Sequence, residues 1–385
     1  MSKLKEFESL IQQEDFSQLS RKLLDLSVET TLPSHVEDQI YSLRKLYLAD
    51  ASKVELQEKT KSIIEQIPVF TDDTTIQKSS MCEATNISKR FVSGHSPFYL
   101  KPLSVQLNSG EITGIVGENG NGKTTLLRIL AGELSSDTGN ISYPSIGTDD
   151  SNWYSAKQHF AFIPQRIPKW HGSLVDNLRF FASIHGFTSN ENTKQIEYIL
   201  FRLGLDKFRH LKWSEISSGY RLRFELAKAI MWRPKLILLD EPLANLDINA
   251  QQLFLQDLKF FVKSSKFPLS VVLSSQQLHE VESVSDNIIF IKQGETIYNG
   301  NQTSFANDRI TNTFELFGNF SQDQLKQVFP SPDIKIEDAG TTMVVTTPTE
   351  MTLELFLKTL IESNIVPTYF RDISTSTRKL FHRDI

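Results

Sequence analysis

The apolar positions at the start of the chain recur at helical spacing. Phe16, Leu19, Leu23 and Leu24 fall on one helical face, and Val36, Ile40, Leu43 and Tyr47 continue such a stripe. Pro33 precedes Ser34-His-Val-Glu37, a capping-box pattern in which hydroxyl and carboxylate serve the free amide groups of a helix start. Ser52-Lys-Val-Glu55 repeats the pattern ahead of Ile63, Ile64 and Ile67, and residues 68–80, PVFTDDTTIQKSS, then break it as a linker. Residues 1–80 are thus expected to form a small all-helical unit with a linker. It would either dock a partner or pack as an extension, because periodicity marks burial and not purpose.

From Met81 the texture changes. ITGIVG (112–117), LILLDEP (236–242), SVVLSS (270–275) and NIIFIK (287–292) are short apolar runs of the kind that form buried parallel strands. Helical segments separate them, which implies an α/β domain over 81–303 with a mostly parallel sheet wrapped by helices. After about Thr303 a third unit follows over 304–385. SQDQLKQVF reads as a helix, IKIEDAG and TTMVVTTP as a hairpin, and EMTLELFLKTLIESN as a helix with Leu353, Phe356, Leu357, Leu360 and Ile361 on one face. IVPTYFRDI returns as a strand, so the order αββαβ predicts a ferredoxin-like α+β domain.

Composition narrows the functional classes. With 385 residues, two or three domains are expected. A net charge of −5 without a block of Lys and Arg disfavours direct contact with nucleic acid. Cys82 is the only cysteine, which excludes an internal disulfide and a cysteine-built zinc site and fits a reducing compartment. No apolar run is long enough to cross a bilayer, and MSKLKEFESLIQQEDF is too polar for a signal peptide. Service to a membrane would therefore run through a partner, from the cytoplasmic side.

One motif carries chemistry by itself. Gly117-Glu118-Asn119-Gly120-Asn121-Gly122-Lys123-Thr124 matches the P-loop pattern, and Thr125 opens the helical run that follows. Its glycines let successive amide groups point at phosphate oxygens, and the following helix adds its positive end beneath the same anion. Lys123 is expected to bridge the β- and γ-phosphates, and Thr124 to ligate Mg²⁺. In LILLDEP, four apolar residues bring Asp240 and Glu241 to the carboxyl end of a buried strand, where ligands bind in open α/β sheets. Asp240 would hold Mg²⁺ through its water shell, and Glu241 would orient or deprotonate the attacking water.

Taken together, residues from about Met81 to Thr303 resemble the ATP-binding cassette ATPases: a P-loop NTPase core with a helical subdomain, working as a head-to-tail pair around ATP and Mg²⁺. The resemblance implies further roles. Phe91 in ISKRF would stack on adenine, with Phe98 as the alternative. Gln165 in FAFIPQ would reach Mg²⁺ and the water. ISSGYRLRFELAKAI (216–230) looks like the signature motif, with Ser217, Ser218 and Gly219 at a helix start facing the γ-phosphate of the other copy. Asp247 would end the loop coupling the two sites. SLVDNLRFFASIHGF resembles the helical subdomain of exporter-type members, and Tyr369-Phe-Arg-Asp-Ile-Ser-Thr-Ser resembles the tail of exporter subunits. Trp170 and Phe180 would either line a groove for a partner's coupling helix or pack inside.

Two departures stand out. The family's Leu-Ser-Gly-Gly-Gln reads Ile216-Ser-Ser-Gly-Tyr220 here, and the switch histidine aligns with Gln276, an amide that donates a hydrogen bond but takes up no proton near neutral pH. His279, three residues on, is expected to face away. The implied function is ATP hydrolysis by a homodimer or heterodimer. It would sit peripherally on the inner face of the cell membrane and drive separate integral membrane subunits of an exporter. The alternatives are a nucleotide-gated binding module with slow turnover and a non-transport member of the family.

Overall fold

The computed structural model describes residues 3–29, 32–67, 79–92, 97–146, 156–244, 246–264, 269–301 and 311–374. Most of the expected linker (68–78), Asn245, the side chain of His279 and the tail beyond Ser374 lie outside this set. Among the described residues no helix is long and apolar enough to cross a membrane.

The amino-terminal unit is helical: α1 (Lys3–Gln12), α2 (Phe16–Glu29), α3 (Ser34–Leu48) and α4 (Lys53–Gln66). Phe16, Leu19, Leu23, Leu24, Val36, Ile40, Leu43 and Ile63 are buried as the stripes require. Ser52 caps α4, accepting from the Glu55 amide at 3.3 Å. The expected box at Ser34 does not form. Pro33 is the cap residue and has no side chain that could accept, so Ser34 already lies in the first turn.

The middle of the chain builds two sheets. The antiparallel one orders β1 (Ser80–Phe91) between β2 (Phe98–Asn108) and β4 (Thr138–Ser142). β1 begins at Ser80, the last residue of the expected linker. The larger sheet has β3 (Ile112–Val116), β5 (Phe160–Ile163), β6 (Leu236–Leu239), β7 (Ser270–Ser275), β8 (Asn287–Lys292) and β9 (Glu295–Asn301) in the order β5-β6-β7-β3-β8-β9. It is parallel except for the β8–β9 pair, and β3, β6 and β7 are buried along their whole length. That explains their unbroken apolar runs. Around it lie α5 (Lys123–Leu130), α6 (Leu174–Ile184), α7 (Ser189–Arg202), α8 (Ser218–Met231), α9 (Ile248–Lys263) and α10 (Leu278–Glu282).

The amino-terminal helices are not a separate body. Their buried residues join one continuous core with α6, α7 and α8. Tyr41 of α3 meets Phe201 of α7 at 6.2 Å between ring centroids, and Lys45 lies over the same ring.

The carboxyl-terminal unit contains β10 (Thr311–Gly318), α11 (Gln322–Val328), β11 (Lys335–Asp338), β12 (Met343–Pro348), α12 (Leu353–Glu362) and β13 (Pro367–Asp372). The antiparallel order β11-β12-β10-β13 is that of the ferredoxin-like layer. The sequence reading missed its first strand. In TNTFELFG the alternation runs only from Thr313 to Leu316 before Phe317 breaks it, and the polar Thr313 and Glu315 of the second face are themselves buried. The stripe on α12 is narrower than predicted: Phe356 and Leu360 are buried, whereas Leu353 and Ile361 are exposed. Phe356 stacks on Phe314 at 4.2 Å and Phe329 at 4.8 Å. Phe356→Ala should therefore cost about 3–5 kcal/mol of this unit's stability, read as an earlier unfolding transition of the full chain by calorimetry.

Candidate active site

Sheet order brings the site together. β5, β6, β7 and β3 are consecutive neighbours running the same way, so their carboxyl ends form one edge. Gln165 follows β5, Asp240 and Glu241 follow β6, Gln276 follows β7, and the loop to Lys123 follows β3. Residues scattered over some 150 positions of sequence thus meet within hydrogen-bonding distance.

The loop from Gly117 curls into α5. Gly120 and Gly122 take φ of 80° and 101°, a region open to glycine, and a Cβ at Gly122 would come within 2.7 Å of Phe98 Cζ. Asn121 fastens the loop from behind, its Oδ1 accepting from the Gln293 amide at 3.0 Å. Lys123, buried at the first position of α5, donates to the carbonyls of Gly117 (2.8 Å) and Glu118 (3.1 Å) and pairs with Glu241 Oε1 at 3.0 Å. Glu118 and Asn119 are exposed at the rim; Thr124 is exposed and Thr125 half-buried on the first turn of α5.

The two acids are held differently. Asp240 accepts from Thr124 Oγ1 at 2.8 Å on one oxygen and from Ser274 Oγ at 2.9 Å on the other. Glu241 has a left-handed backbone, φ 45°, a conformation costing on the order of 1–3 kcal/mol outside glycine. Its amide donates to the same Ser274 hydroxyl at 2.9 Å. Its Oε2 accepts from Gln165 Nε2 at 2.8 Å and from Gln276 Nε2 at 2.7 Å. Ser274 was missed in the sequence, where it reads as one more residue of a buried strand. A hydroxyl at the carboxyl end of that strand was the available signal.

Other expected residues lie around this centre. Phe91 is 38% exposed, with its ring 6.5 Å from that of Phe98, which in turn covers Gly122. Ser217 and Ser218 are exposed at the start of α8, and the Ser217 side chain makes no capping bond there. Tyr220 packs on Phe208 with ring centroids 4.1 Å apart, so the departure from the usual signature is absorbed by an aromatic contact. Asp247 caps α9, accepting from the Ala250 amide at 2.9 Å. Trp170 is packed, stacked on Trp213 at 4.9 Å and donating to Glu225 Oε1 at 2.6 Å, whereas Phe180 is exposed.

The donor set suits a nucleotide with a hard cation. One ammonium against two carboxylates leaves one formal negative charge, and Thr124, Asp240 and Gln165 offer only oxygen donors, the set a hard divalent ion prefers. The glycine-rich turn beneath a helix start supplies the complementary anion cradle.

Fold and site together define a P-loop ATPase. Residues 100–244 match the family described as ABC transporter. Over 230 residues the chain is 30% identical to the ABC transporter ATP-binding protein NatA of Bacillus subtilis, covering 57% of this chain and 89% of that one. Over 221 residues it is 29% identical to the molybdate/tungstate import ATP-binding protein WtpC of Pyrococcus horikoshii, covering 57% and 62%. The structure resembles the dimeric, ADP- and Pi-bound ATP-binding cassette MJ0796 with a TM-score of 0.51 and 22% identity, covering 57% of this chain and 98% of that one. The chain belongs to the ATP-binding proteins of ABC transporters and is an ATPase.

Because Ser274 serves Asp240 and Glu241 at once, Ser274→Ala leaves a buried amide without its acceptor and releases the Asp240 carboxylate. We expect turnover to fall about ten- to a hundredfold, equivalent to roughly 1–3 kcal/mol, in a steady-state phosphate-release assay.

Proposed function

We propose that the chain hydrolyses ATP as one half of a head-to-tail pair and drives integral membrane subunits that export a substrate from the cytoplasm. The convergence of Lys123, Gln165 and Gln276 on the Glu241 carboxylate, beside the Thr124–Asp240 pair, carries this reading. Lys123 exchanges the carbonyls of Gly117 and Glu118 for oxygens of the β- and γ-phosphates, while the amide groups of residues 117–122 and of Lys123, Thr124 and Thr125 close around the same anion. Thr124, Asp240 and Gln165 would hold Mg²⁺, which supplies positive charge to the phosphate oxygens. Glu241 orients the attacking water and accepts its proton. Phe91 stacks on adenine. Ser217, Ser218 and Gly219 of the second copy meet the γ-phosphate with a hydroxyl and the amide groups of a helix start, and Asp247 lies at the joint between the two sites.

The exposure of Ser217 and Ser218 supports pairing, as does the dimeric description of the cassette of like fold. The names of the relatives support membrane partners. Export is the direction we favour, on the resemblance of residues 173–187, although the WtpC relative is named as an importer. The three-part division at residues 80 and 303 goes with this reading: an ATPase domain carrying a helical extension and a ferredoxin-like accessory unit.

A second reading, a nucleotide-gated module with slow hydrolysis, is favoured by Gln276. Its amide binds the same Glu241 oxygen as Gln165, tying up the base, and takes no proton near neutral pH. On this basis Gln276→His should raise steady-state turnover several-fold, up to about tenfold; a rate unchanged or lower removes the idea. Glu241→Gln should retain nucleotide but lose at least about a hundredfold in turnover, and should elute as an ATP-bound dimer in size-exclusion chromatography. A variant still monomeric at saturating ATP would argue against the head-to-tail pair.

A further inference from the structure

A relay of buried charges joins the amino-terminal unit to the helices behind the site. Asp25 of α2 pairs with Arg202 Nε at 2.5 Å. Arg202, the last residue of α7, reaches Asp257 Oδ1 of α9 through Nη1 at 3.0 Å. Arg223 of α8 grips Asp257 Oδ2 with Nε at 3.2 Å and Nη2 at 2.9 Å. Arg202, Arg223 and Asp257 are 7%, 4% and 2% exposed, and the Arg202 guanidinium lies 4.1 Å over the ring of Phe260.

The two helices gripped at Asp257 are those that begin at the expected signature and directly after Asp247. Their first turns are in close contact: a Cβ at Gly219 would come 3.1 Å from Ala250 Cβ. Ser218 and Arg223 lie on one rigid helix, Asp247 and Asp257 at the start and middle of the other, so the relay sets how the two helix starts stand against each other.

The charge balance depends on the amino-terminal unit. Within the relay, Arg202 and Arg223 face Asp25 and Asp257, two against two. Without Asp25, two buried guanidinium groups share one carboxylate, and an uncompensated buried charge strains whatever holds it. Around the relay Arg21 is a further cation, and Glu6 lines the same cleft. Burial lowers the Arg21 guanidinium; Asp257 opposes the shift, and Arg202 and Arg223 add to it. Arg44, buried nearby, is brought down to about 10, first by burial and then by Arg21.

We propose that Asp25 is a positioning residue for ATP hydrolysis: through Arg202 and Asp257 it holds the start of α8 and the start of α9 in the mutual register that a second copy's nucleotide requires. The amino-terminal unit is therefore a working part of the ATPase and not only a packed extension. This rests on the reading that Ser217–Gly219 and Asp247 act across a dimer.

The test compares wild type, Asp25→Asn, Asp25→Glu and Lys53→Ala, all in the full chain. Lys53→Ala is a control that removes the exposed Lys53–Glu14 pair of the same unit. Turnover number is read by phosphate release, and nucleotide affinity of the monomer by a fluorescent ATP analogue without magnesium. Asp25→Asn should lose on the order of ten- to a hundredfold in kcat, as for a displaced group remote from the chemistry, with analogue affinity within about twofold of wild type. Asp25→Glu, which keeps the charge, should recover much of the loss, and Lys53→Ala should match wild type. An Asp25→Asn protein with wild-type kcat overturns the proposal, as does a loss shared equally by Lys53→Ala. Should Asp25→Asn fail to fold, Arg202→Lys answers the same question, since a compact ammonium cannot span both carboxylates. Wild type that binds nucleotide without turnover would instead overturn the hydrolytic reading itself.

Discussion

The Ser274 hydroxyl is the point on which the site hangs. It accepts from the Glu241 amide and donates to the Asp240 carboxylate, so one atom at the end of β7 fixes both acids at the end of β6. Glu241 can then keep a left-handed backbone that an unsupported glutamate would leave. With its backbone so placed, the side chain points at Lys123 on one oxygen and at two amide groups on the other. Loss of that anchor would set free the chain's proposed base while leaving the phosphate cradle intact.

The cradle and the acids are tied to rigid strands, while the groups expected to serve a second molecule sit at helix starts. Those helices are held at their middles, by Trp170 on Glu225 and by Arg223 on Asp257, and also in their first turns, where Arg221 donates to the Trp213 carbonyl and Gln251 to the Leu243 carbonyl. The bodies of both helices are thus held by buried, low-dielectric interactions that solvent does not weaken. The amino-terminal helices extend this anchoring, because they share the apolar core of α6–α8 and contribute Asp25 to its charged centre.

Much of this was legible in the sequence. The P-loop, the acids after LILL and the buried strands follow from local pattern, because a glycine turn, a helix start and an apolar run each need only neighbouring residues. The failures have local causes too. At Ser34 the pattern Ser-x-x-Glu looked like a cap, but the preceding proline takes the cap position and shifts the serine inward. In β10 the alternation Thr313-Phe314-Glu315-Leu316 is too short to stand out before Phe317 interrupts it, and the polar second face at Thr313 and Glu315 is itself covered. On α12 the apolar count exceeded what one sheet face could cover, leaving Leu353 and Ile361 exposed.

The sequence alone determined that this chain carries a P-loop motif and a pair of acids directly after a buried strand, because those features are written in contiguous residues. Only the tertiary structure decided that Gln165 and Gln276 bind one oxygen of Glu241, that Ser274 holds both acids, and that Asp25 reaches Arg202 across the first half of the chain. Strand order and helix packing bring these groups together from distant positions. No local spacing encodes which strand lies beside which, since that follows from how the whole apolar surface is buried.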